Sequence, residues 1–230
     1  NLEIERGKTT VIFGVSGGGK STIIKHIVGL LKPDSGTITV DGVRVDNADE
    51  ATLRAVRTKV GFLFQNGALF DSMNIRENVA FPMREHQKLT PKEMEYKIDE
   101  KLSMVGLKPE IVKSLYPEEL SGGMRKRVGL ARTLALEPEV ILYDEPTSGL
   151  DPVTSDFITQ MICRLRDEIG ITSVLISHDI GESFKAGDNY AMLFDGVIVE
   201  SGDKESFRNS PNEVVQQFIH ARAEGPIAFH

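Results

Sequence analysis

The sequence predicts an α/β fold: a parallel β-sheet core, a smaller antiparallel β portion and an inserted helical lobe. Three observations carry this. First, Thr9-Thr10-Val11-Ile12-Phe13, Val140-Ile141-Leu142-Tyr143 and Thr172-Ser173-Val174-Leu175-Ile176 are short apolar runs without alternation, the pattern of parallel strands covered on both faces. Second, each run is followed by a polar cluster and then a helical pattern, the punctuation of βα units. Third, a mainly helical stretch from about 66 to 136 separates two of these strands. It is too long for a simple crossover and reads as a lobe. Residues 1–65 and 137–210 are then the core with its antiparallel portion, 66–136 the lobe, and 211–230 a C-terminal helix and tail.

The elements follow in chain order. A helix runs from Thr22 to Leu31 after the first strand. Thr37–Val40 and Val43–Val45 flank Asp41-Gly42, and Ala191–Phe194 and Val197–Val199 flank Asp195-Gly196. Both read as hairpins closed by two-residue Asp-Gly turns. Asn74-x-x-Glu77, Thr90-Pro91-x-Glu93 and Ser210-Pro211-x-Glu213 read as capping boxes or close variants. Asp151-Pro152 opens a helix to about Glu168, and Val214 to Ala221 is amphipathic.

Composition excludes several roles. The 230 residues carry 27 Lys plus Arg against 34 Asp plus Glu, a net charge of −7. An acidic chain is a poor sequence-independent binder of nucleic acid and a poor ligand for anionic lipid by charge alone. No apolar run approaches the ~18 residues of a membrane-spanning helix, so any membrane role runs through a partner. A single cysteine, Cys163, excludes an internal disulfide and makes a reducing compartment the simpler reading.

The chemistry gathers at strand ends. Gly14-Val15-Ser16-Gly17-Gly18-Gly19-Lys20-Ser21 matches GxxxxGK[ST] between a strand and a helix, a phosphate-binding loop. Its glycines let backbone N–H groups wrap phosphates, and the helix start adds its positive dipole end through Thr22. Lys20 supplies a point charge and Ser21 a hydroxyl for Mg²⁺. Asp144 and Glu145 end the second strand, where open α/β sheets place ligands. Neighbouring strand residues face opposite sides, so Asp144 serves the Mg²⁺ shell while Glu145 polarises an attacking water. His178 ends the third strand and is placed for a γ-phosphate. Ser121-Gly122-Gly123-Met124 opens a further helix, with Ser121 as N-cap. Two phosphate-ready helix starts with one phosphate loop suggest a symmetric dimer, with a nucleotide between one subunit's loop and the other's Ser-Gly-Gly helix.

These residues, in this order, resemble the ATPase subunit of ATP-binding cassette (ABC) transporters, over nearly the whole chain. The resemblance implies a P-loop ATPase with a RecA-like sheet, ATP as substrate with Mg²⁺, and a homodimer. It implies that Gln65 contacts Mg²⁺ and senses the membrane subunit. Ser121, Gly122, Gly123 and Met124 would be the signature acting on the partner subunit's ATP, and Asp151 would lie in the loop crossing the dimer interface. The catalytic set is then Glu145, His178 and Gln65. The ATP-binding set is Gly14, Ser16, Gly17, Gly18, Gly19, Lys20, Ser21 and Thr22, and the Mg²⁺ set is Ser21, Gln65 and Asp144.

Gly67 to Ser72, Glu77 to His86 and Met124 resemble one subfamily, the ATPases of MCE-protein lipid transporters, and Ala223 to Phe229 resembles their Mla-type tails. That implies phospholipid movement between bacterial inner and outer membranes, from the cytoplasmic face of the inner membrane. The implied partners are an MlaE-like permease, an MlaD-like MCE ring and an MlaB-like STAS protein, with the membrane reached only through the permease and no nucleic acid involved. The same motifs admit an ABC ATPase for another cargo, or a scaffold for iron–sulfur cluster assembly. One departure is plain: residues 1–12 contain no aromatic, so the adenine-stacking aromatic and leading strands are expected to lie outside this chain.

Other residues read as structural. Cys163 is expected to be a buried packing thiol, and Arg125-Lys126-Arg127 a solvated face. His26, His86, His220 and His230 lack ligand spacing. The tail after residue 221 is expected to touch the neighbouring ATPase.

Overall fold

The computed structural model describes residues 1–228; Phe229 and His230, named above, lie outside the described residues. The chain runs β1 (Thr9–Gly14), α1 (Lys20–Ile27), β2 (Thr39–Val40), β3 (Val43–Arg44), α2 (Glu50–Lys59) and β4 (Val60–Leu63). The helices α3 (Ile75–His86), α4 (Pro91–Met104), α5 (Pro109–Val112) and α6 (Gly122–Leu134) follow. The chain returns to the sheet with β5 (Val140–Asp144), α7 (Pro152–Ile169), β6 (Thr172–Ile176) and α8 (Ile180–Ala186). It ends with β7 (Asn189–Phe194), β8 (Val197–Asp203), α9 (Lys204–Arg208) and α10 (Glu213–Ile219).

The main sheet has the order β4-β5-β6-β1-β7-β8. Every neighbouring pair is parallel except β7 and β8. The three expected strands are its centre. β4 is a fourth parallel strand beyond the three that the sequence predicts. Its Gly61 weakens the apolar pattern, yet it is needed: a Cβ there would lie 2.5 Å from Thr133 Cγ2 of α6.

Both Asp-Gly hairpins form, with Asp41 and Asp195 at φ 48° and 47° before glycines at 77°, the left-handed pair of a type I′ turn. They differ in place. β2 and β3 make a two-residue ladder apart from the main sheet. The other hairpin is the sheet's own edge, because β7 also pairs in parallel with β1.

Alternation along the strands divides the core in two. Val11, Phe13, Ile141, Tyr143 and Leu175 face a large cluster shared with α3, α4, α6 and α7. Ile12, Leu142, Val174 and Ile176 face a smaller one with Ile24 of α1 and Val56 of α2. Each fully buried side chain of this size contributes roughly 1.5–3 kcal/mol.

Helix ends mostly obey their caps. Asn74 and Thr90 form complete capping boxes. Two expectations shift. α1 stops at Ile27, short of Leu31, because Gly29 turns left-handed (φ 64°) and the Leu30 N–H folds back to the Lys25 carbonyl. The cap of α10 is Asn212 and not Ser210, whose hydroxyl is held by Glu200 Oε2 at 2.6 Å.

The tail is tied to its own chain. Gln217, 4% exposed, accepts from Ile227 N (2.7 Å) and donates to Ile227 O (3.1 Å) and Arg222 O (3.3 Å). Ile227 thereby packs into the chain's own core. Cys163 is half-buried rather than enclosed, and burial raises its thiol pKa. Among the described residues, no helix is long and apolar enough to cross a membrane.

Candidate functional site

Four parallel strands, β4, β5, β6 and β1, end side by side. Their carboxyl ends deliver Gln65, Asp144–Glu145, His178 and the loop from Gly14 to Ser21 to one edge of the sheet. The loop turns immediately: at Gly14 a Cβ would meet the Leu193 carbonyl oxygen at 2.6 Å. Gly19, left-handed at φ 95°, then starts α1.

Lys20 is 7% exposed and folds back over the loop, donating to Gly14 O (2.8 Å) and Val15 O (2.9 Å). Burial lowers its pKa, and the nearby Glu145 and Asp144 carboxylates oppose that shift. The ammonium is the positive charge that a phosphate oxygen can engage from this loop.

Alternation explains the next contact. Asp144 falls on the same face as Leu142, the face that α1 covers. Ser21 Oγ of α1 donates to Asp144 Oδ1 at 2.8 Å. One hydroxyl and one carboxylate form an all-oxygen donor set that suits Mg²⁺, which takes its remaining ligands from water and phosphate. Gln65 is not joined to this pair; its Nε2 donates to Ser148 Oγ at 3.3 Å.

Glu145 follows the strand at φ 53°, left-handed for a non-glycine residue. Such backbone costs about 1–3 kcal/mol and collects at functional sites. Its N–H is held by Ile176 O of β6 (3.0 Å). Its carboxylate oxygen Oε2 lies 2.5 Å from His178 Nδ1. The Glu145 side chain is 15% exposed and that of His178 60%. The two residues therefore form a pair open on the histidine's side.

The second helix start stands apart from this site. Ser121 Oγ caps α6 by accepting from Met124 N at 3.3 Å. Ser121 and Gly122 are exposed and Met124 is half-buried against the core. Gly123 has a structural reason of its own, since a Cβ would lie 2.6 Å from Thr154 Cγ2 of α7. Asp151 caps α7, its carboxylate accepting from Val153 N, Thr154 N and Thr154 Oγ1 (3.0, 3.0 and 2.6 Å), bonds that lower its pKa.

The expected solvated face of Arg125-Lys126-Arg127 holds only for Arg125. Lys126 is 5% exposed and donates to Ser148 O and Glu145 O. Arg127 donates to Gly106 O and lies over the Phe157 ring. A signal was present: three consecutive helical residues sweep about 200° of a helix, so a helix packed on several sides encloses one of them. Arg132, which holds Gly67 O and Ala68 O, was also missed; nothing in its spacing marks it.

The model of the family described as ABC transporter matches residues 1–148. The chain is 43% identical over 226 residues to the probable ribonucleotide transport ATP-binding protein mkl of Mycobacterium leprae, covering 98% of this chain and 65% of that one. The chain thus spans less than two thirds of the length of the mycobacterial mkl relatives it matches. It is 40% identical over 229 residues to the intermembrane phospholipid transport system ATP-binding protein MlaF of Escherichia coli K12, covering 100% and 84%. Among solved structures, the dimeric post-hydrolysis ATP-binding cassette MJ0796 bound to ADP and Pi superposes with a TM-score of 0.82 at 34% identity, over 88% of each chain. With the family model matched over more than half of its length and relatives at 40% identity or above, the chain belongs to the ABC transporter family.

Proposed function

We propose that this chain hydrolyses ATP for an Mla-type transporter that moves phospholipid between the bacterial inner and outer membranes. The observation that carries the activity is the gathering of Lys20, Ser21, Asp144, Glu145 and His178 at three adjacent strand ends, those of β5, β6 and β1. Lys20 and the N–H groups of Gly17 to Thr22 bind and orient the phosphates. Ser21 and Asp144 would hold Mg²⁺, which when bound neutralises charge on the β- and γ-phosphate oxygens. Glu145 orients the attacking water and takes its proton. His178, with Nδ1 engaged by Glu145, has Nε2 left for a γ-phosphate oxygen. Gln65, bonded here to Ser148, would report on the membrane subunit.

Among the described residues, the start of α6 meets no phosphate site, which supports a homodimer whose nucleotides lie between subunits. The cassette MJ0796 is itself described as dimeric. The transport role rests on MlaF, matched over the whole of this chain. A permease, an MCE ring and a STAS protein, at the cytoplasmic face of the inner membrane, complete that reading. The mycobacterial mkl relatives are named for ribonucleotide transport, which favours a second reading with another cargo.

Glu145→Gln tests the chemistry. Turnover should fall about 10²- to 10⁴-fold, the usual weight of a general base, with ATP affinity unchanged. Normal hydrolysis would remove Glu145 from its role. Purification from membranes with identification of the bound permease and lipid tests the cargo; a complex lacking an MCE protein would overturn the Mla reading.

A further inference from the structure

Lys126 lies within α6, 5% exposed. Its described hydrogen-bond partners are two backbone oxygens, Ser148 O at 2.5 Å and Glu145 O at 3.3 Å. Burying an ammonium is costly unless its donors are matched, and a side chain of equal length without charge would fill the same space. The two carbonyls bracket the turn from Glu145 to Ser148, which begins with the left-handed Glu145. Backbone of that kind persists only where its surroundings over-determine it.

The surroundings are visible. Ser148 N donates to Glu145 O (3.2 Å), Glu145 N to Ile176 O (3.0 Å) and Gln65 Nε2 to Ser148 Oγ (3.3 Å). The same helix grips the loop beyond Gln65. Arg132 donates to Ala68 O (2.9 Å) and Gly67 O (3.0 Å), and a Cβ on Gly129 would lie 2.9 Å from Gly67 Cα. One helix, opened by Ser121, therefore holds both the turn that carries Glu145 and the loop that follows Gln65.

We infer that Lys126 is a positioning residue that ties the Glu145–Ser148 turn to α6, so that the placement of the Ser121 helix start sets the placement of the Glu145 carboxylate. This rests on Glu145 acting on water, as proposed above. The chain of contact runs from the exposed Ser121 end, along one turn of helix, through the ammonium to the Glu145 carbonyl. No phosphate contact by Lys126 is needed.

The test uses the full-length protein purified in its native complex, with ATP hydrolysis, binding of a non-hydrolysable ATP analogue and thermal midpoint measured together. Lys126→Met should lower kcat tenfold or more, with analogue affinity within twofold of the parent. Lys126→Gln, which keeps a shorter donor, should lose less, and it carries the test if the Met variant does not fold. In a Glu145→Gln background, Lys126→Met should cause no further loss, because it acts through Glu145. A folded Lys126 variant with parental kcat, or one that loses affinity and kcat by the same factor, overturns the inference. Glu145→Gln alone decides the water assignment, so the two failures are distinguishable.

Discussion

The chain has two helix starts ready for an anion, and they are built oppositely. At α1 the site is assembled inside the chain: Lys20 is buried on two carbonyls, Ser21 is bonded to Asp144, and β1 aims the loop. At α6, Ser121 and Gly122 are exposed and the capping bond from Met124 N to Ser121 Oγ is local. On the function proposed above, the first would hold the tail of a nucleotide within the chain, and the second would need a phosphate from a second copy. Exposed donors at one end and enclosed donors at the other are what a subunit needs if it binds ATP alone and hydrolyses it only when closed against a second copy.

Substitutions can break this contrast, and the largest effect belongs to α1. Lys20→Ala should weaken ATP binding about 10- to 100-fold, the worth of a charged hydrogen-bond donor, and turnover should disappear with it. Calorimetric titration with an ATP analogue checks this; retained affinity would mean the loop binds by its backbone alone.

At α6 the same measurement should give the reverse. Gly122→Asp places a carboxylate in the first turn, where it favours the helix dipole, and the glycine's nearest neighbour for a Cβ is Leu150 at 3.9 Å. Folding and ATP binding by the separate subunit should survive while ATP-dependent dimerisation and turnover fall at least tenfold. A fall in monomer affinity would show that the two starts are not independent.

Gly123→Ala sharpens the comparison from the packing side. Its methyl meets Thr154, and overpacking of this kind costs about 1–3 kcal/mol, read as a lower thermal midpoint. If Gly123→Ala instead leaves stability intact and removes turnover, its role is wholly in phosphate contact. The smallest effect should come from Ser121→Ala, which removes one cap worth about 0.5–2 kcal/mol. Chemical denaturation measures it.

Much of this was legible in order and spacing. The loop from Gly14 to Ser21, the carboxylate pair after β5 and the capping residues Asn74 and Thr90 depend on local chain geometry, which neighbouring residues encode directly. Asp144 and Glu145 do part, but through the left-handed turn at Glu145 after the strand rather than through strand alternation. What escaped reading depends on contacts distant in the chain. β4 was hidden because Gly61 serves a helix side chain some seventy residues on. Lys126 looked like surface because charge usually means solvent, and its partners come from the turn after β5. Nothing local marks the tail's own anchor, in which Gln217 closes Ile227 against α10.

By itself, then, the sequence determined the order of the candidate site residues and where most strands and helices begin, since local backbone geometry and periodicity are properties of short segments. Only the tertiary structure decided that β7 joins β1, that His178 pairs with Glu145, and that the helix after Ser121 holds the Glu145 turn through a buried ammonium. Those facts come from which surfaces close on one another, and burial is settled by the whole chain at once.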